Sequence, residues 1–240
     1  MNELSLFTGA GGGLLGTHLL GWKAIGYVEW NEYCQKVIRA RIDDGILPVA
    51  PIFTDVREFV QSGAAREYRG FADVVTGGFP CQPFSVAGKR QGAADPRNMW
   101  PATIDVIRAV RPKYAFLENV PAILSSGYFG TILGDLAESG YDCRWCVLGG
   151  ANVGEIIDGK RLWIVASSSH GARLEGLDIY KFAITGTEKS FRRKFTRAVG
   201  AMLQPDDYAR IERGSDELAA GMDRLKAIGN GQVPAVAAAA

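Results

Sequence analysis

One cysteine of this chain stands where a nucleophile would be displayed. Cys81 lies between Pro80 and Gln82, after a glycine turn and the apolar run 72–76. Proline fixes the backbone on one side of the cysteine, and ligands of open α/β sheets bind in the crevice at the carboxyl ends of the strands. The thiolate of Cys81 is therefore a candidate nucleophile, although a lone cysteine is about as often a small buried apolar residue.

A carboxylate follows a second apolar run of the sequence. Glu118 comes directly after residues 114–117 and is separated from Cys81 by 37 positions. The carboxyl ends of parallel strands meet at one edge of a sheet, so the two side chains can face the same crevice. A thiolate paired with a carboxyl group suits addition to an electron-poor heterocycle. Taken alone, Glu118 is equally consistent with a solvated loop residue.

A glycine-rich segment predicts a nucleotide-like ligand. Residues 11–16 have the spacing Gly-x-Gly-x-x-Gly between a first apolar run and a first helical pattern. Glycines at this point let a ligand approach the backbone and a helix N-terminus. Glu29 could accept hydrogen bonds from ribose hydroxyls, Trp30 could stack on a purine, and Asp55 could accept from an adenine amino group. Each of these three residues, taken singly, is more often structural.

Composition describes an ordinary globular chain of 240 residues, with 47% apolar residues, 22% charged residues and a net charge of +1. No apolar stretch approaches the roughly 18 residues of a spanning helix, and no signal-peptide pattern begins the chain. We therefore expect a cytoplasmic protein without a membrane segment. The sequence has four cysteines, two histidines and only one CxxC pattern, Cys143 to Cys146. A tetrahedral metal site needs four ligands, so these two cysteines fit a strand better than a metal site. We expect no bound metal.

Alternation of short apolar runs with amphipathic segments over the first 165 residues predicts an α/β fold with a doubly wound, mainly parallel sheet. The clearest helical pattern runs from Phe129 to Ala137 and ends at Gly140, and a second runs from Trp100 to Val110 with Pro101 in its first turn. The predicted strands are Leu4–Phe7, Ile25–Glu29, Asp73–Thr76, Tyr114–Glu118, Cys143–Leu148 and Leu162–Ala166.

Beyond Ser167 the strand–helix alternation stops, which predicts a small irregular lobe before the chain returns to the main domain. Residues 189–197 hold five basic residues, no acid and two phenylalanines. Basic side chains can neutralise phosphates while aromatic ones stack on bases, so Arg192 and Arg193 are candidates for nucleic-acid contact. A solvated basic face is the alternative, and the segment alone favours it.

In their order along the chain, these motifs resemble the DNA cytosine-5 methyltransferase family in its compact bacterial or phage form. The resemblance covers nearly all of residues 4–166 and 225–240. It is carried by the glycine loop after Leu6-Phe7, Glu29-Trp30, Asp55, Pro80-Cys81-Gln82 with Phe84-Ser85, Glu118-Asn119-Val120, Arg161 and Gly229-Asn230. It implies the Rossmann-like fold of S-adenosylmethionine-dependent methyltransferases, with residues 1–168 plus 225–240 as catalytic and cofactor-binding domain. Residues 169–224 become a short target-recognition region.

The resemblance also implies a mechanism. Cys81 would attack C6 of a cytosine flipped out of double-stranded DNA, Glu118 would hydrogen-bond N3, and Arg161 would lie near the base. C5 would then take the methyl group of S-adenosylmethionine, and loss of the C5 proton would release Cys81. Solvent is the expected proton acceptor.

Binding residues follow from the same resemblance. The positions that correspond to cofactor contacts are Phe7, Gly9, Gly11, Glu29, Trp30, Asp55, Pro80 and Asn230. The segment 85–97 would close over the flipped base. The positions expected to contact DNA are Gln82, Ser85, Lys89, Arg90 and Arg97, with Arg192 and Arg193 in the recognition region. We expect a monomer, and a cognate restriction endonuclease is a candidate partner.

Three departures from the family pattern keep other functions open. Gly13 stands where many relatives have an aromatic residue, segment 157–161 keeps only the second of two arginines, and the turn at Asn230 is one residue longer than usual. A catalytically weak or inactive nucleic-acid-binding relative is one alternative, and an RNA cytosine-5 methyltransferase is another. A nicotinamide-dependent oxidoreductase would explain the glycine loop but gives Cys81 and Glu118 no role.

Overall fold

A computed structural model describes residues 1–80, 97–153 and 159–168, together with Ala237. These residues form an α/β domain around a sheet of seven strands. The strands are β1 (Asn2–Leu6), β2 (Lys23–Val28), β3 (Ile52–Phe53), β4 (Val74–Gly78), β5 (Tyr114–Asn119), β6 (Tyr141–Leu148) and β7 (Arg161–Ser168).

The sheet has the order β3-β2-β1-β4-β5-β7-β6. Strands β1 to β5 pair in parallel, whereas β7 is antiparallel to both β5 and β6. The predicted doubly wound, mainly parallel sheet is confirmed. From β1 the chain winds outward to β2 and β3, and it then returns to β4 on the other side of β1. The crevice between the carboxyl ends of β1 and β4 is therefore the switch point at which such sheets bind ligands.

Six α-helices connect the described strands: α1 (Gly12–Leu19), α2 (Glu32–Asp43), α3 (Val56–Gln61), α4 (Ala64–Glu67), α5 (Trp100–Val110) and α6 (Phe129–Glu138). Short 3-10 turns cover Pro121–Ser125 and Gly150–Val153. Both helices predicted most clearly are confirmed. Helix α5 has Pro101 in its first turn, where its missing N–H costs nothing, and the chain leaves α6 through Gly140 at φ 84°.

Apolar side chains cover both faces of the sheet. On one face, Leu4, Leu6 and Val75 pack in the largest cluster with residues of α3 to α6. On the other face, Tyr27 packs with Leu14 of α1 and Ile38 of α2. A third cluster surrounds Phe116 and Trp163, whose rings stack with centroids 5.2 Å apart. These layers hold the carboxyl ends of the parallel strands in fixed relative positions.

A buried carboxyl group bridges three elements on the α1 side of the sheet. Glu3 of β1 is 1% exposed. The Thr76 hydroxyl of β4 lies 2.7 Å from Glu3 Oε1, and the Thr17 hydroxyl of α1 lies 2.6 Å from Oε2. Burial raises the pKa of Glu3, although both hydrogen bonds act in the opposite direction. The residue therefore links folding to pH.

The thiols of Cys143 and Cys146 pack into clusters on opposite faces of the sheet, as their strand assignment predicts. Burial raises the pKa of Cys143 to about 11. Within the described ranges, no group of three or more His, Cys, Asp or Glu side chains could hold a metal ion. No helix in those ranges is long and apolar enough to cross a membrane. The predicted division at residue 168 stays a prediction, because the recognition region lies outside the described residues.

Candidate active site

The loop after β1 repeatedly enters the left-handed region of backbone space. Phe7, Gly9 and Gly11 have φ values of 50°, 58° and 92°. Phe7 carries a side chain in a conformation that costs roughly 1–2 kcal/mol, and its ring packs against the main core. A Cβ atom added at Gly9 or Gly11 would meet no atom of the described residues within 4 Å. Within the described part of the chain, the backbone of this loop therefore borders open space at the switch point.

Glu29, one residue beyond β2, ties this loop to the second strand. Its Oε2 accepts a hydrogen bond of 2.6 Å from the Gly9 amide, and its Oε1 accepts one of 2.8 Å from the Asn31 amide. The side chain is largely buried, with the residue 8% exposed. A carboxylate offers about four lone-pair sites, so two amide bonds leave capacity for ribose hydroxyls. Glu29 therefore contacts the glycine loop directly, and its role in binding a cofactor stays a prediction.

Trp30 and Asp55 occupy neighbouring strand ends with different exposure. The Trp30 side chain is 74% exposed, which is uncommon for a large aromatic residue and suits stacking on a flat ring. Asp55 follows β3 and caps α3, with Oδ1 accepting a 2.7 Å hydrogen bond from the Arg57 amide. The cap role was not predicted. It fixes the carboxylate beside the same edge of the sheet as Glu29.

The two predicted catalytic residues that the structure describes form an ion pair. Arg161 Nε lies 3.0 Å from Glu118 Oε1, and the side chains are 27% and 12% exposed. Strand β7 runs antiparallel to β5, with Glu118 opposite Trp163. Arg161 is two residues from Trp163 and is therefore the diagonal neighbour of Glu118 on the same face. Because β7 runs antiparallel to β5, Arg161 lies beside Glu118, although the two residues are 43 positions apart in the sequence.

Asn119 joins the end of β5 to the chain that leads out of β4. Its Nδ2 donates a 3.0 Å hydrogen bond to the Phe79 carbonyl, and its Oδ1 accepts one of 2.8 Å from the Val120 amide. Asn119 is 2% exposed. Sequence reasoning gave this residue no role, although an amide directly after the candidate carboxylate Glu118 was the available signal. It holds Phe79 and the half-buried Pro80, the residue before Cys81, beside Glu118.

The described site residues fall into two neighbouring groups at one edge of the sheet. Phe7, Gly9, Gly11, Glu29, Trp30 and Asp55 lie at the ends of β1 to β3, and Pro80, Glu118 and Arg161 at the ends of β4, β5 and β7. Arg97 is exposed, three residues before α5. The remaining predicted residues lie outside the described residues: Cys81, Gln82, Ser85, Lys89, Arg90, Arg192, Arg193 and Asn230.

Solved methyltransferases share this architecture. The S. pombe Dnmt2 methyltransferase matches with a TM-score of 0.58 and 19% identity, over 79% of this chain and 57% of that one. A putative DNA modification methyltransferase from an Escherichia coli prophage matches with a TM-score of 0.55 and 21% identity, over 70% and 47%. These likenesses define the class of the fold as that of the Rossmann-like methyltransferases.

The chain belongs to the C-5 cytosine-specific DNA methylase family, whose model matches residues 1–212. The type II methyltransferase M.NgoMIV of Neisseria gonorrhoeae is 34% identical over 156 residues, which are 63% of this chain and 47% of that protein. M.HaeII of Haemophilus aegyptius is 32% identical over 166 residues, 68% and 49% respectively. The chain thus spans about half the length of these relatives. The predicted resemblance is confirmed, and it gives no support to the oxidoreductase alternative.

Proposed function

We propose that this protein transfers a methyl group from S-adenosylmethionine to C5 of cytosine in double-stranded DNA. The observation that carries the proposal is the 3.0 Å pair of Glu118 and Arg161, held at the strand end beside Pro80. Family membership supplies the reaction class. The pair supplies a carboxyl group with a fixed orientation next to the residue that precedes the candidate nucleophile.

The site residues at the ends of β1 to β3 fit the proposed cofactor. An open glycine loop, a carboxylate with remaining acceptor capacity and an exposed indole match a nucleoside with two hydroxyls and a flat base. Glu29 would bind the ribose, Trp30 would stack on the adenine and Asp55 would accept from its amino group. When bound, S-adenosylmethionine supplies an electrophilic methyl group on a sulfonium. Phe7, Pro80 and Asn230 complete the proposed cofactor site.

Cys81 would add its thiolate sulfur to C6 of the flipped cytosine, which moves the C5–C6 electron pair toward C5. Glu118, with its carboxyl group protonated, would donate a hydrogen bond to N3 and limit the negative charge that builds up on the ring. Arg161 Nε holds Oε1 of this carboxyl group, so the direction of the Glu118 side chain is set before substrate binds. After methylation at C5, loss of the C5 proton to water restores the double bond and breaks the S–C6 bond.

A cytosine inside a duplex cannot be reached by Cys81, so the proposal requires the base to be flipped out, at a cost of a few kcal/mol. Gln82, Ser85, Lys89, Arg90 and Arg97 would contact the DNA around the flipped base, and Arg192 and Arg193 would contact it from the recognition region. A cytoplasmic location, a monomeric state and a cognate restriction endonuclease stay predictions.

The test is intact mass spectrometry after incubation with S-adenosylmethionine and DNA that contains 5-fluorocytosine, whose C5 substituent cannot leave as a proton. We expect a covalent protein–DNA adduct that maps to Cys81. Cys81→Ala should form none, whereas Cys146→Ala, which removes a half-buried thiol from β6, should react normally.

The substrate in this experiment separates the alternatives. An adduct on equally substituted RNA but not on DNA would overturn the DNA assignment. Measurable cofactor binding with no adduct on either nucleic acid would favour a noncatalytic relative.

A further inference from the structure

A buried amide side chain on α2 contacts the backbone beside the proposed cofactor site. Gln35 is 5% exposed. Its Nε2 donates a 2.7 Å hydrogen bond to the carbonyl oxygen of Glu29. Neither the sequence motifs nor the family resemblance gave Gln35 a role. A buried amide is costly unless it is hydrogen-bonded, so its placement against one particular carbonyl has a physical consequence.

The contacted carbonyl belongs to the peptide bond between Glu29 and Trp30. The Glu29 amide donates to the Phe53 carbonyl at 2.9 Å, which continues the pairing of β2 with β3. The Glu29 side chain accepts from the amides of Gly9 and Asn31. The hydrogen bond from Gln35 therefore fixes the plane of the peptide from which the exposed Trp30 side chain projects.

The orientation of the Gln35 amide is itself determined. Arg39, one turn further along α2, approaches Gln35 Oε1 with its Nη2 at 3.4 Å. An arginine can only donate, so it identifies Oε1 as the acceptor end and leaves Nε2 to face Glu29. Helix α2 thus presents a donor, not an acceptor, to the carbonyl beyond the end of β2.

We propose that Gln35 is a positioning residue for the cofactor, acting through the Glu29–Trp30 peptide. This inference rests on the proposed function, because the ligand it serves is the nucleoside of S-adenosylmethionine. Gln35 does not touch that ligand. It holds the stacking indole and the ribose-binding carboxylate in a single arrangement, so that binding does not have to order them.

The first test is isothermal titration of S-adenosylmethionine into wild type and Gln35→Met, which keeps the length of the side chain and removes its donor. The Kd of Gln35→Met for S-adenosylmethionine should rise about tenfold, because the variant loses a hydrogen bond to a buried carbonyl. The KM for S-adenosylmethionine should rise in parallel, while kcat at saturating cofactor stays near that of wild type. A purely structural role would not separate KM from kcat in this way.

Tyr141→Phe is the matched control. Tyr141 Oη donates a buried 2.8 Å hydrogen bond to the Pro112 carbonyl at the opposite edge of the sheet. This variant loses one hydrogen bond to a buried carbonyl without touching the site, so its cofactor Kd should stay unchanged. Equal weakening in both variants would assign the effect to stability and overturn the inference.

Gln35→Glu gives an independent readout. A protonated carboxyl group can donate to the Glu29 carbonyl, whereas an ionised one cannot. Cofactor affinity of this variant, relative to wild type at each pH, should therefore fall as pH rises. The Arg39 guanidinium contacts Oε1 of Gln35, and the Glu29 carboxylate belongs to the residue whose carbonyl Gln35 contacts; both charged groups are common to the two proteins.

A pH-independent ratio in folded Gln35→Glu would overturn the inference, as would wild-type affinity in Gln35→Met. If wild type itself fails to bind S-adenosylmethionine, that result contradicts the proposed function, on which this inference rests.

Discussion

At the scale of single residues, the pairing of Arg161 with Glu118 combines charge with direction. A guanidinium group presents N–H donors in a fixed plane, so it holds one carboxylate oxygen while its other nitrogens contact other groups. Here Nε faces Glu118 and Nη1 donates to the Lys160 carbonyl at 3.0 Å. Removing this side chain would take away the contact that Nε makes with Oε1 of Glu118.

We therefore predict that Arg161→Ala lowers kcat by about 100-fold or more, a loss typical of a group that stabilises charge in the transition state. Binding of S-adenosylmethionine should change little, because the proposed cofactor contacts lie mainly just beyond the carboxyl ends of β1 to β3. Single-turnover methylation and cofactor titration measure the two effects. The exposed neighbour Lys160 provides the control Lys160→Ala. Normal turnover in Arg161→Ala would remove the pair from the mechanism.

At the scale of elements, the Tyr68 side chain, directly after α4, packs against β2 where that strand contains a glycine. A Cβ atom at Gly26 would lie 2.5 Å from Tyr68 Oη and 2.9 Å from two ring carbons. The Tyr68 ring is itself packed against Phe53 and Phe59. The absent side chain at Gly26 therefore leaves room for the Tyr68 ring against the sheet.

Gly26→Ala should destabilise the protein by about 1–3 kcal/mol through overpacking. Adding Tyr68→Leu should recover part of that loss, which a double-mutant cycle by chemical denaturation would measure. Gly134→Ala on α6 is the control, since its Cβ would meet no atom of the described residues within 4 Å. Alanine there should stabilise the helix by about 0.5–1 kcal/mol. Additive effects of the changes at Gly26 and Tyr68 would contradict the proposed contact.

At the scale of the whole molecule, Glu3 makes folding depend on pH. Burial raises the pKa of this carboxyl group, so the folded state holds a proton that the unfolded chain releases above about pH 4.3. Stability from this group is complete below that value and is lost as pH rises toward the folded pKa. Each unit of increase in the pKa corresponds to about 1.4 kcal/mol.

Glu3→Gln resembles the protonated side chain, with an amide that can donate to Thr17 and an oxygen that can accept from Thr76. The variant should match wild type in acid and become more stable than wild type as pH rises, as measured by denaturant unfolding from about pH 4 upward. Glu67→Gln, at an exposed position of α4, should show no such divergence. A constant difference between Glu3→Gln and wild type across this range would refute the buried proton.

Periodicity in the sequence was sufficient for most individual elements. Helix α6 was predicted from its apolar repeat and the glycine that follows it, and α5 from its apolar repeat and the proline in its first turn. These signals depend only on neighbouring residues, and both helices were predicted to within about a turn. The predicted strand Leu4–Phe7 differs from β1, Asn2–Leu6, because the ends of a strand are set by its partners. Phe7 instead turns into the left-handed region as the glycine loop begins.

By itself, the sequence determined the family, the α/β class and the candidate residues, because motifs and hydrophobic periods are local properties of the chain. Only the tertiary structure decided that β7 runs antiparallel and sets Arg161 diagonally against Glu118. It also decided that Asn119 holds Phe79, and that Gln35 fixes the peptide before Trp30. Those contacts join residues on different elements, and their geometry follows from register and packing across the sheet, which no local pattern encodes.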